Sequence, residues 1–313
     1  MALLVRRDEA QRFLDWERAM RALESVMIEE VEGNTFHMPP FGGSKSERPT
    51  FRLVGGGLYG LRRMGIRIGG AAQLFDTESG ELLAIVAGAT NLRIGATMGL
   101  AARYLARPNA RAVGLLGSGR NALAILQCLR VVRQIERVDV YSPTPEHRTA
   151  FARRASAALG IPVTARDGPE EAIAEADIIV VGTSSYSPVL EISDLRPGVH
   201  VTSMGMSTEL GASVILGVDQ FVAPSREQEI DSASPAVHPY VEGPLFRLIK
   251  EGRYDPAAIV ELGSILKGDV APRNGSSDIN LFRDSRGGVG DIALANWAYE
   301  RALEAGLGIE IEV

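Results

Sequence analysis

Apolar residues recur at helical spacing along the first 32 positions. Phe13, Leu14, Trp16, Met20, Leu23, Val26, Met27 and Val31 fall on one stripe, which predicts two helices or one broken helix between Asp8 and Glu32. A polar, proline-rich stretch follows, HMPPFGGSKSERPT, with the composition of a loop. FRLVGG and MGIRIGG come next, then AAQLFDTESGELLAIVAG. In that last stretch AQLFD and LLAIV read as the strands of a hairpin closed by Glu78-Ser79-Gly80. Asn91 to Leu105 reads as a helix that exits through Arg107-Pro108-Asn109. The first hundred residues are therefore α+β.

From Ala112 the pattern changes. Short apolar runs, AVGLLG, RVDVYS, IPVTAR, DIIVVGT, VHVTSMG and QFVAP, read as buried strands. Helical patterns over Asn121–Arg133, Pro145–Ala158 and Pro169–Glu175 separate the first four. Strands alternating with helices predict a parallel sheet with right-handed crossovers. Tyr240 to Lys267 reads mostly as helix, and Asp291 to Ala305 as a strong amphipathic helix.

Composition narrows the function classes. The chain has 313 residues, 45% hydrophobic and 23% charged, which is ordinary for a globular protein and long enough for two domains. Its net charge of −6 argues against non-specific binding to nucleic acid. Cys128 is the only cysteine, so no intrachain disulfide forms, and a small buried core residue is the plain reading. With His37, His147, His200 and His238 scattered, no zinc-ligand spacing exists and no metal site is expected. Charges follow the short N-terminal apolar run at once, which is unlike a signal peptide, and no run reaches the length of a membrane span. The expectation is a soluble, cytoplasmic protein with neither membrane nor nucleic acid as partner.

Gly117-Ser118-Gly119-Arg120-Asn121-Ala122 fits G-x-G-x-x-A directly after a strand and at the opening of a helix. Gly117 suits the tight turn, Gly119 lets backbone approach a pyrophosphate, and Ala122 keeps helix close to sheet. The helix N-terminus offers free N–H groups and a positive dipole to phosphates. A plain strand-to-helix turn would also use glycine, but the βαβαβ setting is the one that marks dinucleotide binding.

The end of the second strand refines the cofactor. NAD enzymes typically carry Asp or Glu there for the ribose 2′-hydroxyl. This chain has Ser142-Pro143-Thr144 instead. Ser142 and Thr144 can donate hydroxyls to a 2′-phosphate, and Arg148 lies within reach in the next helix. These features favour NADP, with NAD as the other possibility. The same three residues also suit a cap for the helix beginning at Pro145.

Four segments together resemble the ornithine cyclodeaminase/mu-crystallin family. They are LFDTESGELLAIVAGATNLRIGATMGLAARYLARPNARAVGLLGSGRNA, EADIIVVGTSSYSPVL, RPGVHVTSMGMS and DINLFRDSRGGVGDIALA. The resemblance runs from about Phe51 to Gly308 and combines order, spacing and several motifs. It implies an α/β fold: a Rossmann-type parallel-sheet domain over 111–290, and an α+β substrate and dimerisation domain built from 1–110 and 291–313. It also implies a homodimer. The implied chemistry is NAD(P)-dependent and acts at the Cα–N bond of a small amino, imino or keto acid.

The resemblance also implies site residues. The substrate carboxylate is held by an Arg, a Lys and a second Arg, which fall here on Arg52 in FRLVGG, Arg67 in MGIRIGG and Arg93 in LRIGATMG. Guanidinium groups suit a carboxylate through bidentate pairing and charge. Arg67 stands where members carry Lys, and Arg is the poorer proton donor. Ile94 stands where members usually carry Thr. Arg52, Arg62, Arg63 and Arg67 would also make a solvated basic face. Asp291, ending Gly287-Gly288-Val289-Gly290-Asp291, would contact the nicotinamide amide or the substrate nitrogen, or would simply cap its helix. Arg67 and Asp291 are the candidate catalytic residues. Thr183, Ser184, Ser185, Met204 and Gly205, at the ends of two parallel strands, are expected at the cofactor.

Cyclodeaminases carry an Asp where this chain has Ser207. A serine alone is no base at neutral pH. The implied function is therefore reduction of a small α-imino acid, with hydride to Cα, as an imine or ketimine reductase or amino-acid dehydrogenase. Two alternatives stand beside it: a cyclodeaminase using NAD catalytically, and a non-catalytic NADP-dependent binder of a small ligand.

Overall fold

The computed structural model describes residues 1–13, 15–38, 53–234, 242–284 and 287–312. Arg52 and most of the proline-rich stretch lie outside them. The chain divides into two compact units, Met1–Thr97 with Arg286–Val313, and Met98–Ser285.

The first unit opens with β1 (Ala2–Val5), α1 (Arg7–Arg12) and α2 (Trp16–Val31), so two helices form there and Trp16, Met20, Leu23, Val26, Met27 and Val31 of the apolar stripe all fall on α2. Asp15 caps α2, its Oδ1 accepting the Arg18 N–H at 3.1 Å. Ala19, Met20, Leu23, Val26 and Met27 form the buried face of α2. Then come β2 (Thr35–His37), β3 (Leu53–Leu58), β4 (Arg63–Ile68), β5 (Ala71–Asp76), β6 (Leu82–Ala87) and α3 (Ala89–Leu105), whose residues from Met98 on belong to the second unit. The β5–β6 hairpin turns as the sequence indicates, with Asp76 Oδ1 accepting the N–H groups of Glu78 and Ser79.

The second unit alternates strand and helix: β7 (Ala112–Leu116), α4 (Ala122–Val132), β8 (Arg137–Tyr141), α5 (Pro145–Leu159), β9 (Val163–Ala165), α6 (Pro169–Ile173), β10 (Ile178–Val181) and β11 (His200–Ser203). It continues with α7 (Ala212–Gly217), β12 (Gln220–Ala223), α8 (Arg226–Ser232), α9 (Pro244–Lys250), β13 (Val260–Glu261), α10 (Leu262–Lys267) and β14 (Asn280–Arg283). The chain then returns to the first unit with α11 (Val289–Glu304) and β15 (Ile309–Ile311).

All strand pairs of the second unit are parallel, in the order β13-β12-β14-β11-β10-β7-β8-β9. Helices follow most strands, so the apolar residues of β7 and β10 are buried throughout, as a two-sided parallel sheet requires. The C-terminal end of α3 is satisfied by side chains. Arg133 donates to the carbonyls of Arg103, Ala106 and Arg107, and Arg273 donates to that of Leu105. The first unit has a mixed sheet in the order β15-β1-β6-β5-β4-β3-β2, with only β1 and β6 parallel. The fold is α/β, with a Rossmann-type parallel sheet in one unit and an α+β unit made from both chain ends, as expected.

Two expectations need correction, and one strand carries no expectation from the sequence. The described part of Tyr240–Lys267 is not mostly helix but two short helices, α9 and α10, separated by a 3₁₀ turn at Pro256–Ala258 and the short β13. Gly252 at φ 67° and Pro256 interrupt the helical pattern there. The last helix begins at Val289 with Gly288 as its N-cap. Asp291 therefore does not cap the helix; it sits in the first turn with its side chain turned to other partners. Finally, NLFR, unread as a strand, is β14 and lies between β11 and β12. Among the described residues no helix is long and apolar enough to cross a membrane, and no group of three or more His, Cys, Asp or Glu could hold a metal ion.

Candidate active site

In the first unit, the sheet is cut to receive one helix. Gly56 of β3 faces Gly65 of β4 in register. A methyl group on Gly56 would come within 3.0 Å of Val289, and one on Gly65 within 2.7 Å of Ile292. The two glycines thus let the first turn of α11 lie close against the strands. That approach brings Asp291 to β4. Arg67 Nε donates to Asp291 Oδ2 at 2.7 Å, and its Nη1 donates to the Gly69 carbonyl at 2.8 Å. Arg93 of α3 approaches the other oxygen, Nε to Oδ1 at 3.4 Å.

Asp291 and Arg93 are buried, at 1% and 7% exposed, and Arg67 is partly buried, at 13%. One carboxylate thus lies between two guanidinium groups. The glycine motif before α11 serves this arrangement. A methyl group on Gly287 would fall 1.6 Å from Asp291 Oδ2, and Gly288 holds φ 69°. Arg67 is thus no part of a solvated basic face. Arg62 is, being exposed and paired with Glu78, while Arg63 donates to Asn296 Oδ1 at 2.8 Å.

In the second unit, Gly117 follows β7 with φ 107°, and a methyl group there would meet the Gly182 carbonyl oxygen at 2.3 Å. Only glycine fits both conditions. Gly119 is the opposite case, since nothing lies within 4 Å of the position a methyl group would take. The turn therefore presents open space beside the first turn of α4. Asn121, at the N-cap of α4, makes no side-chain capping bond, and its Oδ1 is buried with no partner among the described residues. Arg120 is exposed and Ala122 is buried.

Ser118 Oγ and Ser142 Oγ lie 2.9 Å apart, tying the glycine turn to the end of β8. Arg148 is buried. Its Nη1 donates to the Ser142 carbonyl at 3.1 Å, and its Nη2 pairs with Asp167 at 2.7 Å. Asp167 is 92% exposed. Thr144 is the N-cap of α5, but its hydroxyl makes no capping bond.

At the ends of β10 and β11, Thr183, Ser203 and Gly205 are gathered by Glu209, a residue that the sequence does not single out. Glu209 Oε2 accepts the Thr183 N–H and hydroxyl, both at 2.9 Å. Its Oε1 accepts the Ser203 hydroxyl at 2.7 Å and the Gly205 N–H at 2.8 Å. Arg283 of β14 donates Nη1 to Ser203 Oγ at 2.9 Å and Nε to Glu229 at 2.6 Å. Burial pushes the Glu209 carboxyl above its ordinary value, against the pull of Arg283 and of its donors. The available signal was one acid among small and apolar residues, in MSTELGASVIL. Ser184 is exposed, and Met204 N–H donates to the Val181 carbonyl. Ser207 Oγ is buried and has no hydrogen-bond partner among the described residues, so no base there activates it.

Comparison with known proteins gives these features a context. A family model described as ornithine cyclodeaminase/mu-crystallin family matches residues 12–306. A Delta(1)-pyrroline-2-carboxylate reductase from Bacillus cereus is 37% identical over 252 residues, covering 78% of this chain and 74% of that one. The iminosuccinate reductase of Paracoccus denitrificans is 30% identical over 246 residues, 77% and 72% of the two chains. The structure of Thermococcus litoralis Delta(1)-pyrroline-2-carboxylate reductase in complex with NADH and L-proline superposes with a TM-score of 0.88 at 25% identity, covering 99% of this chain and 100% of that one. The chain belongs to the ornithine cyclodeaminase/mu-crystallin family.

Proposed function

We propose that this protein is an NAD(P)H-dependent reductase of a small α-imino acid, with Arg67 and Arg93 holding the substrate carboxylate and hydride going to Cα. The observation that carries this reading is the buried Arg67–Asp291–Arg93 cluster. Two guanidinium groups side by side suit one carboxylate through charge and bidentate pairing, and the hydrogen bond from Arg67 to Asp291 holds that side chain in place so that less ordering is left to do on binding. Arg52 is the third arginine of the set by its position in the sequence. When bound, the nicotinamide supplies the hydride. A protonated imine brings its own proton, so neither Arg67 nor Asp291 has to deliver one. Asp291 instead stands as the group that balances charge near the substrate nitrogen.

The open space at Gly119 suits a dinucleotide pyrophosphate at the α4 N-terminus, with Ser118, Arg120, Asn121 and Ala122 in the same turn. Thr183, Ser184, Ser185, Met204 and Gly205 lie at the carboxyl edge of the sheet, where such cofactors bind. NADP is the preferred form in this reading. No acid stands at Ser142 to repel a 2′-phosphate, and the Thr144 hydroxyl is free of its capping role. Arg148 would exchange Asp167 for the phosphate. That exchange is open to it because Asp167 is exposed and returns to water when released.

A cyclodeaminase is disfavoured by Ser207, which has no base beside it among the described residues. The pyrroline and succinate relatives point to a cyclic or short imino acid as the substrate. A homodimer is the assembly the family resemblance implies. The test is oxidation of NADPH, followed by absorbance, with Δ1-pyrroline-2-carboxylate and with α-keto acids plus ammonia or methylamine. Turnover with one of these supports the reading. Tight NADPH binding without turnover on any of them favours a ligand-binding role.

A further inference from the structure

Beyond the groups that would touch substrate or cofactor, the second unit buries a polar cluster that nothing in the proposed chemistry uses. Val181, Ser203 and Arg283 are neighbours in register at the ends of β10, β11 and β14. Glu209 lies beneath these ends and is fully buried. Each of its oxygens accepts one backbone N–H and one hydroxyl: Thr183 N–H and Oγ1 on Oε2, Gly205 N–H and Ser203 Oγ on Oε1.

The arrangement is tightly fitted. A methyl group on Gly205 would fall 2.0 Å from Glu209 Oε2. The Thr183 oxygen that donates to Glu209 also accepts the Ser185 N–H at 3.2 Å, so the bond continues into the next residues of that turn. Arg283 locks the far side through Ser203 and Glu229. A buried carboxylate costs several kcal/mol to desolvate, so a chain that needed only a filled core would place an apolar residue there. What the carboxylate adds is a fixed geometry for two turns that follow neighbouring strands.

We infer that Glu209 is a positioning residue for the dinucleotide: it holds the Thr183 and Gly205 turns, at the carboxyl ends of β10 and β11, in the conformation that receives the cofactor. The inference rests on the reading above that places the cofactor at that edge. Glu209 itself does not touch the reacting atoms. It acts through the backbone N–H groups of Thr183 and Gly205, which are fixed donors and cannot reverse.

Glu209→Gln tests this with almost no change of shape. One oxygen becomes an NH₂ group, which must then face the N–H of either Thr183 or Gly205, donor against donor. The expected result is a rise of about tenfold in the Kd for NADPH, measured by fluorescence well below the thermal midpoint, with the imino-acid KM at saturating cofactor unchanged. Ser203→Ala, which removes one hydroxyl and leaves both N–H bonds, should show a smaller rise. It also serves as the reading if Glu209→Gln does not fold. A purely structural role would lower the midpoint and leave Kd alone. A folded Glu209→Gln, or failing that Ser203→Ala, with wild-type NADPH affinity overturns the inference by itself. A wild-type protein that binds neither NADPH nor NADH overturns the cofactor reading and this inference with it.

Discussion

Arg67 Nε and Asp291 Oδ2 lie 2.7 Å apart and join a strand residue to a helix residue 224 positions further along the chain. Asp291 in turn reaches Arg93, so one carboxylate keeps two like charges side by side in a buried place. The consequence is an asymmetric sensitivity: losing the anion is worse than losing either cation.

Asp291→Ala should therefore be strongly destabilising. It leaves Arg67 and Arg93 without their common counter-charge, and breaking a buried ion pair by removing one partner typically costs about 3–5 kcal/mol. Urea unfolding of the variant against wild type measures it. A loss under about 1 kcal/mol would mean that the cluster is well solvated.

Arg93→Ala should keep the fold and weaken substrate binding. A charged hydrogen bond to a carboxylate is worth roughly 1.5–3 kcal/mol, which corresponds to a rise in the imino-acid KM of about 10- to 150-fold. Arg93→Lys should recover only part of the loss, because it keeps the charge without the planar fork. The Kd for NADPH should stay as in wild type.

The glycine turn separates structure from binding at two neighbouring positions. Gly117→Ala must adopt φ 107° and meets the Gly182 carbonyl, so it should lower the thermal midpoint markedly. Gly119→Val has open space around its Cβ and should fold normally, yet lose NADPH binding by filling the space the phosphates need. Calorimetry and fluorescence titration of the pair give the contrast.

What the sequence made legible follows from where its signals are local. The strand–glycine–helix turn at Leu116–Ala122 is readable because tight backbone geometry demands glycine at Gly117. The α2 stripe is readable because every 3.6 residues returns to the same face. Arg67, Arg93 and Asp291 all stand out through the family resemblance, but their pairing does not, and Asp291 also reads as a helix cap. The pairing depends on Gly56 and Gly65 meeting in register beneath α11, a relation that no window of sequence contains. Glu209 was passed over because one acid in an apolar stretch gives no periodic signal. Tyr240–Lys267 was read as mostly helix because its apolar spacing is helical, while Gly252 and Pro256 break the backbone.

Cofactor choice has its own test at the end of β8. Ser142→Asp adds a negative charge where a 2′-phosphate would sit and removes a donor, so it should shift preference from NADPH towards NADH. Equal affinity of the wild-type protein for the two cofactors would contradict the assignment of NADP.

His200 gives a prediction about pH. It is fully buried on β11, with neither ring nitrogen hydrogen-bonded among the described residues. Burial, reinforced by Arg273 and Arg133, pushes it down from 6.5 to about 3. Below pH 6.5 the unfolded chain takes up a proton that the folded one refuses. The protein should therefore lose stability as pH falls from about 6.5 towards 3, by up to about 1.4 kcal/mol per pH unit from this residue. His200→Leu removes that contribution, so its urea midpoint should gain on wild type as pH is lowered from 7 to 4.5. A difference that stays constant with pH would show that His200 titrates freely.

The most direct measurement follows the hydride itself. NADPH deuterated on the transferring face of nicotinamide C4 is supplied with Δ1-pyrroline-2-carboxylate or another accepted imino acid, and the product is analysed by mass spectrometry and NMR. The account predicts one deuterium at Cα of the amino acid for each NADPH oxidised. Unlabelled product, or conversion of ornithine to proline with no net oxidation of NADPH, would contradict it.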